Sequence, residues 1–110
     1  MTELNIDPGI CGLPSVVTAL RGDGKRFSVR IRSECSMVQS VQEELTDLNL
    51  RDIFAAMLEN PVYQAASKKL SHASCPVPSG ILKTLEVEAE MALPKDVHMI
   101  FSGRADKGRS

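Results

Sequence analysis

The chain predicts an α+β fold of two layers, an N-terminal β-hairpin and a C-terminal third strand packed on about four helices. Three observations carry that prediction. Apolar residues alternate on both sides of Gly22-Asp23-Gly24, which is a hairpin signal. Between Met37 and Leu93 they recur instead at helical spacing. Val97, Met99 and Phe101 then alternate with His98, Ile100 and Ser102, the period of a strand.

Along the chain, Leu4 and Ile6 alternate ahead of Asp7-Pro8-Gly9, a short extended lead-in and turn. The hairpin follows at roughly residues 13–21 and 25–33. A three-residue loop Gly22-Asp23-Gly24 pairs Arg21 with Lys25, Ala19 with Phe27 and Val17 with Val29. Extended outward, that register sets Cys11 opposite Cys35 on the apolar face, because side chains repeat with period two. Met37, Val38, Val41, Leu45 and Leu48 form the stripe of a first helix. Asn49 caps a second, which carries Leu50, Ile53, Phe54, Met57 and Leu58. Asn60-Pro61 opens a third through Val62, Tyr63, Ala66 and Leu70. The fourth runs from Pro76 to about Leu93, burying Val77, Ile81, Leu82, Leu85, Ala89 and Ala92, with Cys75 as its N-cap. Residues 1–102 thus make one domain, and 103–110 a flexible charged tail.

At 110 residues with a formal net charge of −1, the chain can bury a core and presents no overall field suited to nucleic acid. With no Trp and one Tyr, it also lacks aromatics for stacking bases. The polar, acidic start Met1-Thr2-Glu3 is not a secretory signal, and no apolar run reaches membrane-span length. The expected location is the cytoplasm, where thiols stay reduced. No phosphate loop, nucleotide fingerprint or serine–histidine–acid set is present, so turnover chemistry has little support.

Attention falls on Cys11, Cys35 and Cys75, three thiols at three element boundaries. An odd number in a reducing compartment points to ligands, a reactive thiol or buried apolar filler. Helix N-termini favour negative charge, which suits Cys35 and Cys75 to bind a metal or attack an electrophile. His72, three residues before Cys75, completes a three-cysteine, one-histidine set of the kind zinc takes. As an alternative, it is an exposed helix-end histidine bonding terminal carbonyls. An iron–sulfur cluster is equally consistent with three thiolates and one variable ligand. A Cys11–Cys35 disulfide is geometrically compatible with the expected register and would form only on oxidation.

The order Cys11-Gly12, hairpin, Cys35 at a helix start, about forty residues of helix, then Cys75 opening a long helix, resembles iron–sulfur cluster scaffold proteins of the IscU type and the N-terminal domain of NifU. The resemblance spans roughly residues 10–92. It implies a SufE/NifU-like fold, with Cys11, Cys35 and Cys75 as cluster ligands. It also implies a cysteine desulfurase or an iron–sulfur acceptor protein as partner. Where that family carries an aspartate two residues after its first cysteine, this chain has Leu13; where it has a histidine before the third, this chain has Ser74. The cysteine-glycine, serine-x-cysteine and cysteine-proline-x-proline segments also resemble a family of small three-cysteine proteins without an assigned role. Cys75-Pro76-Val77-Pro78 further looks like the active segment of sulfur carriers of the TusA type, in which Cys75 alone would carry a persulfide. A third reading makes the chain a partner-binding module with structural cysteines. A homodimer sharing one site is compatible with the open position three ligands leave.

Overall fold

The computed structural model describes residues 1–104 and has the α+β architecture that the patterning predicts. Three antiparallel strands, β1 (Thr2–Ile6), β2 (Ser15–Arg21) and β3 (Phe27–Ser33), lie in the order β1-β2-β3. Four helices follow: α1 (Ser36–Val41), α2 (Leu50–Ile53), α3 (Pro61–Lys69) and α4 (Val77–Glu88). The helices cover one face of the sheet. Val17, Ala19, Phe27, Val29 and Ile31 project from the sheet into a core completed by Val41, Leu45, Val62, Ile81 and Leu85. The opposite face carries Thr18, Leu20, Arg30 and Arg32 toward solvent. No helix among the described residues is long and apolar enough to cross a membrane.

Two expectations about the sheet need correction. The first is register: Ala19 pairs with Val29 and Val17 with Ile31, not with Phe27 and Val29. The turn is centred on Gly24, closed by Gly22 N–H donating to the Arg26 carbonyl at 2.7 Å. Gly24 and Lys25 take φ of 61° and 60°, and glycine at the centre accepts that conformation without a Cβ penalty. Moving the turn by one residue moves the register by two. The predicted faces survive, because two is the pleat period. The pairing of Cys11 with Cys35 does not: β2 begins at Ser15, whose partner is Ser33.

The second correction concerns the third strand, which is the N-terminal segment Thr2–Ile6 rather than residues 97–102. Thr2 pairs with Ala19 and Ile6 with Ser15. Both segments alternate, but only 2–6 is joined to β2 by a short loop, so its pairing has a small closure cost. Residues 97–102 form neither helix nor strand. Residues 105–110 of the expected tail lie outside the described residues.

Helix lengths also differ from the periodicity. The first helix ends at Val41 and passes through a 3-10 turn, Gln42–Glu44. Leu45 and Leu48 are buried as expected, but on a non-helical, bent segment laid along the outer edge of β3. Val29 N–H donates to Leu45 O, and Phe27 and Leu48 exchange both backbone bonds. Gln42 Oε1 accepts from Ile31 N–H, while Gln39 accepts from Ser33 N–H and donates to Ile31 O. These partners close the β3 edge against further pairing.

The second helix is a single turn held by a capping box, with Asn49 Oδ1 accepting from Asp52 N–H and Asp52 Oδ2 from Asn49 N–H. Phe54, Met57 and Leu58, expected on that helix, are exposed beyond it. The fourth helix stops at Glu88, five residues before the expected end, in a Schellman closure. Met91 N–H bonds Glu86 O, Glu90 N–H bonds Val87 O, and Glu90 takes φ 62°.

The N-cap of α4 is Pro76, and Cys75 precedes it by one residue. This helix crosses β1 closely at Gly80, where a Cβ would stand 2.6 Å from Ile6 Cδ1. At its other end Glu88 accepts from the Thr2 hydroxyl at 2.7 Å. It therefore runs antiparallel to β1, with its N-terminus at the Ile6 end of the sheet.

Candidate functional site: three thiols at one end of the sheet

The cysteines occupy three separate connections that meet at one end of the domain. Ile6, Ser15 and Ser33 form the last row of the sheet, through the Ile6–Ser15 and Ser15–Ser33 pairs. Cys11 lies between Ile6 and Ser15, in a 3-10 turn Gly9–Cys11 that Gly12 ends with φ 69°. Cys35 follows Ser33 by two residues and is the N-cap of α1. Cys75 precedes α4, whose N-terminal end lies over that row by the close approach of Gly80 to Ile6. The Ser71 hydroxyl stands 3.5 Å from Met37 Sδ, which brings the connection before Cys75 alongside the first turn after Cys35.

Local bonding fixes the backbone around two of the thiols. The buried Ser15 hydroxyl donates to Ser33 Oγ at 2.8 Å, and Ser33 Oγ accepts from Cys35 N–H at 3.0 Å. This two-serine relay ties Cys35 to the end of the sheet, and nothing in the spacing of the cysteines announces it. At Cys75 the backbone N–H points to His72 O at 3.4 Å, which bends 72–75 into a turn. Cys35 and Cys75 are partly buried and pack on the rim of the core, whereas Cys11 is exposed. All three are free thiols.

Topology brings the three to one rim, but their side chains are not gathered into a ligand set. Among the described residues no three His, Cys, Asp or Glu side chains are arranged to hold a metal ion. Cys11, Cys35, Cys75 and His72 are thus not a preassembled four-ligand centre, and His72 is exposed. The physical reason is the register: Cys11 sits on a turn outside the ladder, not across from Cys35. Beside that turn an open groove of about 450 Å³ is lined by Asn5, Ile6, Asp7, Gly12, Pro14, Ser15 and Val16. Asp7 is the one ionisable group lining it, so it offers no acid–base pair.

A family model described as a family of unknown function, DUF6951, matches residues 2–101. The chain belongs to that family. No curated protein and no solved structure matches it. The match spans all three cysteines, the whole sheet and the exposed segment after α4.

Proposed function

We propose that this protein binds a thiophilic metal ion or an iron–sulfur cluster as cargo through Cys11, Cys35 and Cys75, taking it up and handing it on. One observation carries the reading: three connections distant in sequence deliver a thiol each to the same end of one small sheet. This order, with a cysteine before the hairpin, one at the following helix start and one before the last helix, is what the scaffold-protein resemblance implies. Cys35 and Cys75, seated on the core rim, supply two anchored sulfurs. Cys11, on an exposed turn, is the ligand best placed to open and close.

An exchangeable cargo fits this arrangement better than a structural zinc ion does. Structural zinc sites hold four ligands in closed tetrahedral order, and here the fourth candidate, His72, is exposed. The reading extends to partners of matching chemistry, a cysteine desulfurase or an acceptor of clusters. The test is anaerobic titration with cobalt(II), and separately with iron and sulfide, following thiolate-to-metal charge-transfer absorption. Saturable absorption in the parent that is lost in Cys35→Ala and Cys75→Ala is expected. If all three single cysteine-to-alanine variants bind as the parent does, the reading fails. A metal-free protein that gains sulfur on Cys75 alone, after incubation with a desulfurase and cysteine, would replace it with the persulfide carrier.

A further inference from the structure

The segment after α4 is strand-patterned, apolar and unused by its own domain. Val97, Met99 and Phe101 are 58 %, 83 % and 99 % exposed, and Ile100 is exposed beside them. Past the Lys95 N–H bond to Leu93 O, no backbone hydrogen bond involves residues 96–103 among the described residues. The segment projects from the body of the domain. The radius of gyration is 15.2 Å, against about 13 Å for a compact chain of this length, and the longest extent is 58 Å against 28 and 25 Å.

The sheet offers one vacant edge of matching length. The outer edge of β3 is closed by Leu45, Leu48, Gln39 and Gln42. The outer edge of β1 has no backbone partner among the described residues. An unpaired edge and an unpaired strand each leave strong donors and acceptors unsatisfied, and together they satisfy both. β1 is five residues long, and 97–102, at six residues, is long enough to lie along all of it. Laid beside β1 with Met99 next to Leu4, the arm places Val97, Met99 and Phe101 on the helix side with Thr2, Leu4 and Ile6. In the parallel direction the same alignment brings His98 beside Glu3.

We infer that two copies of this chain exchange residues 97–102, each arm adding a fourth strand to the outer edge of the other's β1. The exit of the arm decides between a second copy and the chain's own edge. Beyond the left-handed turn at Glu90, residues 91–101 are all exposed, so the arm is not packed on its own domain. Its root nonetheless stays beside β1, where Glu88 holds Thr2. Residues 90–96, with turns at Glu90 and Leu93–Lys95, connect that root to an arm standing clear of its own domain, as exchange across a two-fold axis requires. Two-fold symmetry then fills both edges with both arms and closes the assembly. This inference is independent of the thiols.

The test is light scattering on the eluting 110-residue chain, from micromolar to millimolar, with amide hydrogen exchange on the same samples. A dimer with protected amides in 97–102 is expected. A Met99→Asp/Phe101→Asp variant should raise the dimer dissociation constant roughly a hundredfold or more, because each arm would then place two carboxylates against an apolar surface. Both residues are exposed in the single chain, so the variant folds. Met57→Asp/Leu58→Asp, which changes apolar residues exposed elsewhere, should leave the dimer intact. A parent that stays monomeric, with or without protected arm amides, overturns the inference. So does a dimer that survives the arm variant, or one lost equally with Met57→Asp/Leu58→Asp.

Discussion

Asn60 holds two connections together, and its replacement separates two physical roles. Its side chain is buried. Oδ1 accepts from Val62 N–H at 2.9 Å and so caps α3, while Nδ2 donates to Ile53 O at 3.1 Å and Ala55 O at 3.2 Å. Losing the cap in Asn60→Ala costs about 1 kcal/mol. Leaving the Ile53 and Ala55 carbonyls without their donor adds about 1–3 kcal/mol, the smaller figure applying where water reaches Ala55. The expected loss is therefore about 2–4 kcal/mol. For a domain of this size that lowers the melting temperature by roughly 4–8 °C per kcal/mol. Asn60→Asp keeps a cap, and one favoured by the helix dipole. It also turns a second oxygen toward two carbonyl oxygens. If capping were the whole role, Asn60→Asp would be nearly neutral; with the bridging role it should be at least as unstable as Asn60→Ala. Urea unfolding of the three proteins decides it. A loss under about 1 kcal/mol for alanine, or parent-like stability for aspartate, would refute the reasoning.

Two further expectations follow from the closed edge and the surface pair. Gln39→Ala removes the donor to Ile31 O and the acceptor for Ser33 N–H, and should cost about 1–3 kcal/mol in urea unfolding. It should also speed hydrogen exchange at Ser33, next to the Cys35 anchor. Unchanged exchange there would show that Gln42 and Leu45 suffice to close β3. At the exposed pair, the Arg26 guanidinium hydrogen-bonded to Asp47 at 2.7 Å holds the carboxyl below the ordinary carboxylate range. Because the folded value is depressed, the stabilisation is present above the unfolded pKa of about 3.9 and is lost as pH falls through the folded value. The parent should exceed Asp47→Asn in melting temperature by a small, salt-sensitive margin near neutrality that vanishes in acid. A margin that widens as pH falls would contradict that sign.

Much of the candidate site was legible as chemistry and little of it as geometry. Cys11, Cys35 and Cys75 stand out from their neighbours because glycine, serine and proline mark element boundaries locally. The Ser15–Ser33 relay that anchors Cys35 was not legible, since serines in strands are ordinary and only the register sets these two face to face. Nor was the bridging role of Asn60, whose carbonyl partners Ile53 and Ala55 lie at and just past the end of α2, seven and five residues earlier.

What the sequence by itself determined are the quantities that depend on neighbours a few residues apart. These include the faces of the hairpin, the caps Asn49 and Asn60, the start of α3 at Pro61, and the core stripe Val77, Ile81, Leu85 and Ala89. Tertiary structure alone decided which of two alternating segments joined the sheet, the register about Gly24, the early stop of α1 so that Leu45 and Leu48 seal an edge, and the placing of three cysteine-bearing connections at one end of the sheet. The physical reason is that alternation and helical spacing state which side of an element is apolar, not what lies opposite it. Partners are chosen by loop closure and by the surfaces left to bury, and those belong to the whole chain.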